Sequence, residues 1–131
     1  KALASNLGIA DKVTFTGALG RDDVADWMRR AKLFILPSRS EGLGVVLLEA
    51  LASGTPCVGS AVGGITDIVN HRVGSLVRSE DEKGFTKAII KILGTIEFNR
   101  LSIAAREAAE CNYSWEQIAK RIIHQYKSIH K

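Results

Sequence analysis

The chain has 131 residues, 46% of them apolar and 24% charged, with a net charge of +4. That is the make-up of one globular domain with a real core. No apolar run approaches the ~20 residues that span a bilayer, and the opening KALASNLGIADK lacks a signal-peptide pattern. Basic residues are scattered and not interleaved with aromatics, which argues against nucleic-acid binding.

Along the chain two hydrophobic periods alternate. VTFTG (13–17) reads as a buried strand, followed by a helix over Asp22–Ala31 and a second strand in LFILPS (33–38). Val45–Ser53 reads as a helix, PCVGS (56–60) as a strand, 64–70 as a short helix and GSLV (74–77) as a fourth strand. Three helices close the chain. Over Asp81–Leu93, Phe85, Ala88, Ile89, Ile92 and Leu93 share one face, with Lys83, Lys87 and Lys91 on the other. Arg100–Glu110 is alanine-rich. Ser114–Ile129 opens with Ser114 and Gln117 as a capping box and repeats Trp115, Ile118, Ile122, Ile123, Tyr126 and Ile129 at helical spacing. Strands too apolar to keep a wet face, alternating with helices, imply an α/β fold: a parallel sheet covered on both sides. The cysteines, Cys57 and Cys111, have no metal spacing. Cys57 lies in an apolar run and reads as a reduced core residue, which favours an intracellular protein. His71, His124 and His130 likewise lack metal spacing and read as surface residues.

In such folds ligands bind outside the carboxyl ends of the strands. There LFILPSRSEGLGVVLLEA reads as a strand, a loop ending in Gly42-Leu43-Gly44, and a helix. The two glycines serve either a tight turn or a phosphate loop, where free amides and the helix dipole attract an anion. Neither GxGxxG nor a Walker A pattern is present. Between Gly42 and Ala52 one residue is neither apolar nor glycine: Glu49. A carboxylate in a helix that reads as buried is costly unless something hydrogen-bonds to it. Glu49 lies about 8 Å along the helix from the glycine pair, at 1.5 Å per residue, where the ribose of a bound nucleotide would offer it a diol. Glu41 would face the same cavity from the other side of the phosphates. The alternative places Glu49 on a half-exposed helix surface, and chemistry alone leaves both readings open.

Glu41 and Glu49 form the E-x7-E pattern of retaining glycosyltransferases, and PSRSEGLGVVLLEALASGTPCVGSAVGGITDIV closely resembles glycosyltransferase family 4. The likeness runs along nearly the whole chain. DKVTFTG, RRAKLFILPS and YSWEQIAKRIIHQY resemble flanking family segments in the right order. The resemblance implies residues 1–131 of a partial carboxyl-terminal, donor-binding domain of a GT-B enzyme, Rossmann-like, with its closing helix at about 114–129. It implies transfer of a sugar from a UDP- or GDP-type nucleotide-sugar with retention, giving an α-linkage, with no cofactor and no bound metal.

By the same resemblance Glu49 would bind the ribose hydroxyls and Glu41, the catalytic candidate, a hydroxyl of the donor sugar. Backbone amides of Gly42, Leu43 and Gly44 would contact the sugar and diphosphate, and those of Val45 and Val46 the distal phosphate. Thr16 and Gly17 would lie against the base. Arg39 reads as a solvated loop cation, and Gly63-Gly64 as a packed turn into a short helix.

A GT-B enzyme has two such domains, and 131 residues are too few for both. The family's first two strands of this domain, with an Arg and a Lys that neutralise the pyrophosphate, have no counterpart here. From Ser40 to His71 there is no Lys or Arg at all. A doubly wound order would place the missing strands between VTFTG and LFILPS. The acceptor (a sugar, a glycan or a lipid-linked group) and its general base would belong to a missing amino-terminal domain. The expected location is cytoplasmic. Lys120, Arg121, Lys127 and Lys131 against Glu116 leave a peripheral contact with the inner membrane face open, a solvated helix face being the plainer reading. The other classes to weigh are a non-catalytic nucleotide-binding module and a dinucleotide-binding domain. The absent glycine fingerprint argues against the dinucleotide.

Overall fold

The computed structural model describes residues 1–129, so the expectations for His130 and Lys131 lie outside the described residues. In chain order the elements are α1 (Ala2–Asn6), a single 3-10 turn (Ala10–Lys12), α2 (Arg21–Arg30), β1 (Phe34–Leu36) and α3 (Val45–Ala52). There follow β2 (Cys57–Ser60), α4 (Ile65–Ile68), β3 (Gly74–Val77), α5 (Glu82–Leu93), α6 (Phe98–Tyr113) and α7 (Trp115–Ile129). The strands pair in the order β1-β2-β3, all parallel, with Phe34 opposite Cys57 and Cys57 opposite Gly74. This is the α/β architecture expected from the alternating periods.

Side chains alternate across a strand, so β2 feeds both layers of core. Cys57 joins Met28, Leu47, Leu51, Ile65 and Ala105 on one face; Val58 joins Val77, Phe85 and Ile92 on the other. Each fully buried aliphatic contributes about 1.5–3 kcal/mol, and Leu47, Leu51 and Ile65 are all at 0% exposure. Helix α5 begins where Asp81 caps it, the carboxylate accepting from the Gly84 amide at 2.8 Å.

One predicted strand does not form. Residues 13–17 have no regular structure, are exposed throughout, and pair with neither edge strand, β1 or β3. An apolar pattern becomes a strand only when a neighbour takes up its backbone donors and acceptors. Among the described residues nothing does so. Helix α1 and the 3-10 turn had no expectation, because AL and IA at those positions are too short to show a period.

Helix α3 is held at its carboxyl end. Ser102 Oγ of α6 donates to the Gly54 carbonyl at 2.6 Å, and the Arg106 guanidinium donates to the carbonyl of Ala52. A cation at that end complements the helix dipole. Thr55 Oγ1 donates to the Met28 carbonyl at 2.6 Å, tying the following turn to α2. The packed side of α3, through Leu47, Ala50 and Leu51, does the rest. These contacts fix the axis along which its amino terminus points.

Helix α7 is tied to α6 by its first two turns, the Arg121 guanidinium donating to the carbonyl of Asn112. Ser114 Oγ accepts from the Gln117 amide at 3.4 Å, one half of the expected capping box. Ile118 is half-buried, and from Ala119 onward every described residue of α7 is exposed.

Candidate functional site

The carboxyl ends of β1, β2 and β3 open onto three loops: 37–44, 61–64 and 78–81. Ser79 Oγ of the third donates to the Ser38 carbonyl of the first at 3.3 Å, and Arg39 pairs with Glu80 at 2.9 Å. Arg39 is therefore an exposed cation with a carboxylate of its own.

The second loop supports the first from beneath. Gly64 donates its amide to the Gly42 carbonyl at 3.0 Å. A Cβ on Gly63 would stand 1.8 Å from the Glu41 carbonyl oxygen, and Gly63 adopts φ +48. No side chain fits there in that conformation. The Gly63-Gly64 turn is thus a packing device, as the sequence suggested.

Helix α3 starts from Gly44, which caps it in the left-handed conformation, φ 74 and ψ 45, with no side chain serving as a cap. Among the described residues no protein acceptor faces the amides of Leu43, Gly44, Val45 or Val46. Free amides at a helix start, with the positive end of the dipole behind them, form an anion-binding surface. Leu43 and Val45 are each 55% exposed, so solvent reaches that surface.

Glu41 lies half-buried over this helix start. Its Oε1 accepts from the Gly42 amide at 3.1 Å, and Ser38 Oγ stands 3.5 Å from Oε2. Glu49 departs from the expectation of a buried acid. It is exposed, and so are Val45 and Ala52, so positions 45, 49 and 52 form the solvent stripe of α3. The carboxylate therefore needs no buried partner. It borders a groove whose other wall is α2 and the segment before it, with Leu19, Arg21, Asp22 and Met28. Glu41 is not among the residues lining that groove: the two glutamates sit at successive places along α3, Glu41 over its start and Glu49 one turn beyond Val45. Thr16 and Gly17 lie in the exposed segment that leads to Leu19, with Thr16 Oγ1 donating to the Gly17 carbonyl at 3.2 Å.

A residue the sequence gave no reason to single out stands at the carboxyl end of β2. Ser60 is fully buried, and its hydroxyl has no hydrogen-bond partner among the described residues. A serine in an apolar strand carries no mark of whether its hydroxyl will be satisfied. Among the described residues no group of three or more His, Cys, Asp or Glu side chains comes together. No described helix is long and apolar enough to cross a membrane.

Comparison with known proteins gives one answer. Residues 1–108 match the family described as glycosyl transferases group 1. A D-inositol 3-phosphate glycosyltransferase of Streptomyces griseus is 37% identical over 118 residues, 89% of this chain and 25% of its own length. The N-acetyl-alpha-D-glucosaminyl L-malate synthase of Bacillus anthracis is 37% identical over 131 residues, 98% of this chain and 32% of its own. Among solved structures, sucrose-phosphate synthase from Thermosynechococcus elongatus superposes with a TM-score of 0.86 at 31% identity, over 98% of this chain and 33% of that one. Anabaena HepE, solved in complex with UDP and glucose, shares the fold at a TM-score of 0.83 and 22% identity, over 97% of this chain and 35% of its own. The chain thus spans about a quarter to a third of the length of these relatives. With its parallel sheet, its covering helices and its match over residues 1–108, it belongs to the group 1 glycosyltransferases, enzymes of the GT-B fold.

Proposed function

We propose that the chain is the donor-binding part of a retaining glycosyltransferase of family 4, which moves a sugar from a UDP- or GDP-type nucleotide-sugar to an acceptor and forms an α-glycosidic bond. The observation that carries this reading is the start of α3: a run of unpartnered amides at the carboxyl edge of a parallel sheet, with a carboxylate on either side along the helix. The matches to glycosyltransferases along the chain support it, as do the UDP and UDP-glucose bound in the HepE structures.

In this reading the amides of Gly42, Leu43 and Gly44 hold the sugar and diphosphate, and those of Val45 and Val46 the distal phosphate. Glu49 takes the ribose diol from the rim of its groove, and Thr16 and Gly17, in the segment that leads into the groove's other wall at Leu19, lie against the base. Glu41 accepts a hydroxyl of the donor sugar. In the reaction the bond from the anomeric carbon to the diphosphate oxygen breaks, and a bond to the acceptor oxygen forms on the same face. Helix amides and cations stabilise the departing diphosphate, so no metal and no cofactor is required. The acceptor, its general base and the remaining cations belong to the parts of a group 1 enzyme beyond these 131 residues. The site of action is the cytoplasm, with α7 as a candidate for peripheral contact with the inner membrane face.

Titration of UDP, GDP, UDP-glucose, GDP-mannose and NAD into the labelled chain tests the reading. Amide shifts at 42–46 with a sugar nucleotide or its diphosphate, and none with NAD, are the expected result. A response to NAD alone would move the chain to the dinucleotide binders.

A further inference from the structure

Helix α5 packs through Phe85 and Ile92 and turns its other side to water. On that side stand Lys83, Lys87 and Lys91, one helical turn apart and all exposed. None of them makes an ion pair among the described residues. Between Glu82 and Glu97 the chain has these lysines and no carboxylate, and Glu97 pairs with Arg100 at 3.7 Å. The lysines share the surface with apolar side chains. Ile90 lies in their stripe and is 66% exposed. Leu93, which the spacing had placed on the packed face, is 48% exposed, and Ile96, in the turn after the helix, is fully exposed. Single exposed apolar residues are common on protein surfaces. Three at one end of a helix, bordered by unpaired cations, make a patch that calls for a partner.

We propose that this face of α5, with the turn that carries Ile96, is a docking surface for an anionic phospholipid bilayer. The chemistry of the patch selects that partner. The lysines meet a layer of negative headgroups, each contributing about fivefold in partition. Ile90, Leu93 and Ile96 pass between the headgroups to the apolar boundary beneath. The outer side of a helix is a ridge: a protein partner would need a groove shaped to it, whereas headgroups part around it. A nucleic acid would use the lysines and leave the isoleucines in water. The aromatic residue of α5, Phe85, is buried and offers no base a stacking surface. Insertion is shallow, because the main apolar face of the helix is committed to the core, so attachment is reversible. The surface is separate from α7, and it does not depend on the donor-site reading.

The experiment sediments the whole chain with vesicles, either of phosphatidylcholine alone or of equal parts phosphatidylcholine and phosphatidylglycerol. The chain should bind the anionic vesicles and not the neutral ones, and less as salt rises. Lys87→Gln with Lys91→Gln should lower that partition on the order of twentyfold. Lys12→Gln with Lys32→Gln removes the same charge from exposed positions elsewhere and should change it little. Ile90→Ser with Ile96→Ser keeps the charge; vesicle binding should fall on the order of tenfold while retention on a heparin column stays as it was. Should that pair unfold the chain, Ile96→Ser alone, outside the helix, must still weaken vesicle binding. Equal losses from the two lysine pairs would reduce the effect to net charge and overturn the proposal. Indifference to the serine variants would overturn it in favour of an acidic macromolecule. Dependence on α7 alone, read from Ile123→Ser with Tyr126→Ser, or no binding to anionic vesicles, would overturn it as well. None of these outcomes bears on the nucleotide titration, so the donor site stands or falls separately.

Discussion

Gly64 donates its amide to the carbonyl of Gly42 at 3.0 Å, and a Cβ on Gly64 would stand only 2.5 Å from that same oxygen. The loop that carries Glu41 is therefore shaped by a backbone-to-backbone contact across the sheet edge, made close by two residues without side chains. At Gly63 the clearance is smaller still, 1.8 Å to the Glu41 carbonyl, in a left-handed conformation.

Gly63→Ala should therefore cost about 3 kcal/mol or more, from left-handed strain together with overpacking against an unyielding backbone. Denaturant unfolding reads the loss, and the amides of 41–44 should shift even where the chain stays folded. An unfolding midpoint within experimental error of the parent would show that the two loops are not in this contact.

Glu49→Gln addresses the proposed ribose contact. Glu49 is exposed, and its carboxylate makes no hydrogen bond or ion pair among the described residues, so thermal unfolding should not move. Nucleotide affinity should fall by about 1–2 kcal/mol, at the lower end of what a hydrogen bond to a charged group contributes. A 2′-deoxy nucleotide should be far less sensitive. Matching losses for ribo and deoxy ligands would remove the ribose from Glu49.

The exposure of Glu49 shows where reading the sequence stops. Two of the three positions on the solvent stripe of α3, Val45 and Ala52, are apolar, so the helix reads as buried all round and Glu49 as an anomaly. Burial is decided by what α3 packs against, and α6 lies too far along the chain for any local period to place it. The 13–17 segment fails for a related reason, because a strand is completed by its neighbour. What depended on local chemistry came through within a few residues: the parallel sheet from three apolar runs, α5 from its spaced apolar face, the Ser114 cap of α7, and the glycine-framed start of α3.

Ser60 offers a test of a different kind. A buried hydroxyl without a partner costs roughly 1–3 kcal/mol of desolvation. Ser60→Ala removes the hydroxyl from a fully buried site, so the variant should unfold at the same temperature as the parent or higher. A clear drop in melting temperature would mean that the hydroxyl has a partner in solution.

Burial pushes the Cys57 thiol up from 9.0 to about 12. The folded chain thus keeps a proton that the unfolded chain releases once the pH exceeds 9.0. Below that pH the group has no effect on stability. As the pH rises through the window toward 12, stability is lost at up to about 1.4 kcal/mol per unit. Denaturant unfolding between pH 8 and about 10.5, compared with Cys57→Ala, isolates this slope: the variant should decline less steeply. At pH 8 an alkylating reagent should modify the exposed Cys111 and spare Cys57 until the chain is unfolded.

The last prediction is that this 131-residue polypeptide transfers no sugar on its own, even where it binds a donor. Transfer needs an acceptor oxygen held against the anomeric carbon, and positioning of that kind accounts for as much as about 7–11 kcal/mol of a barrier. The relatives that carry out transfer are three to four times as long, since the chain spans 25% of one and 32% of another. The leaving diphosphate also needs cations. The stretch from Ser40 to His71 contains none, and Arg39 on the loop is tied to Glu80. Donor hydrolysis should therefore run no faster than background, and donor affinity should be weak. Adding the upstream part of a relative's donor domain should tighten binding without giving transfer, because it supplies cations and no acceptor surface. Joining the chain to the whole remaining length of a relative should give both. Release of free nucleotide by the purified 131-residue chain, coupled to a glycosylated acceptor, would show that acceptor positioning resides within these elements.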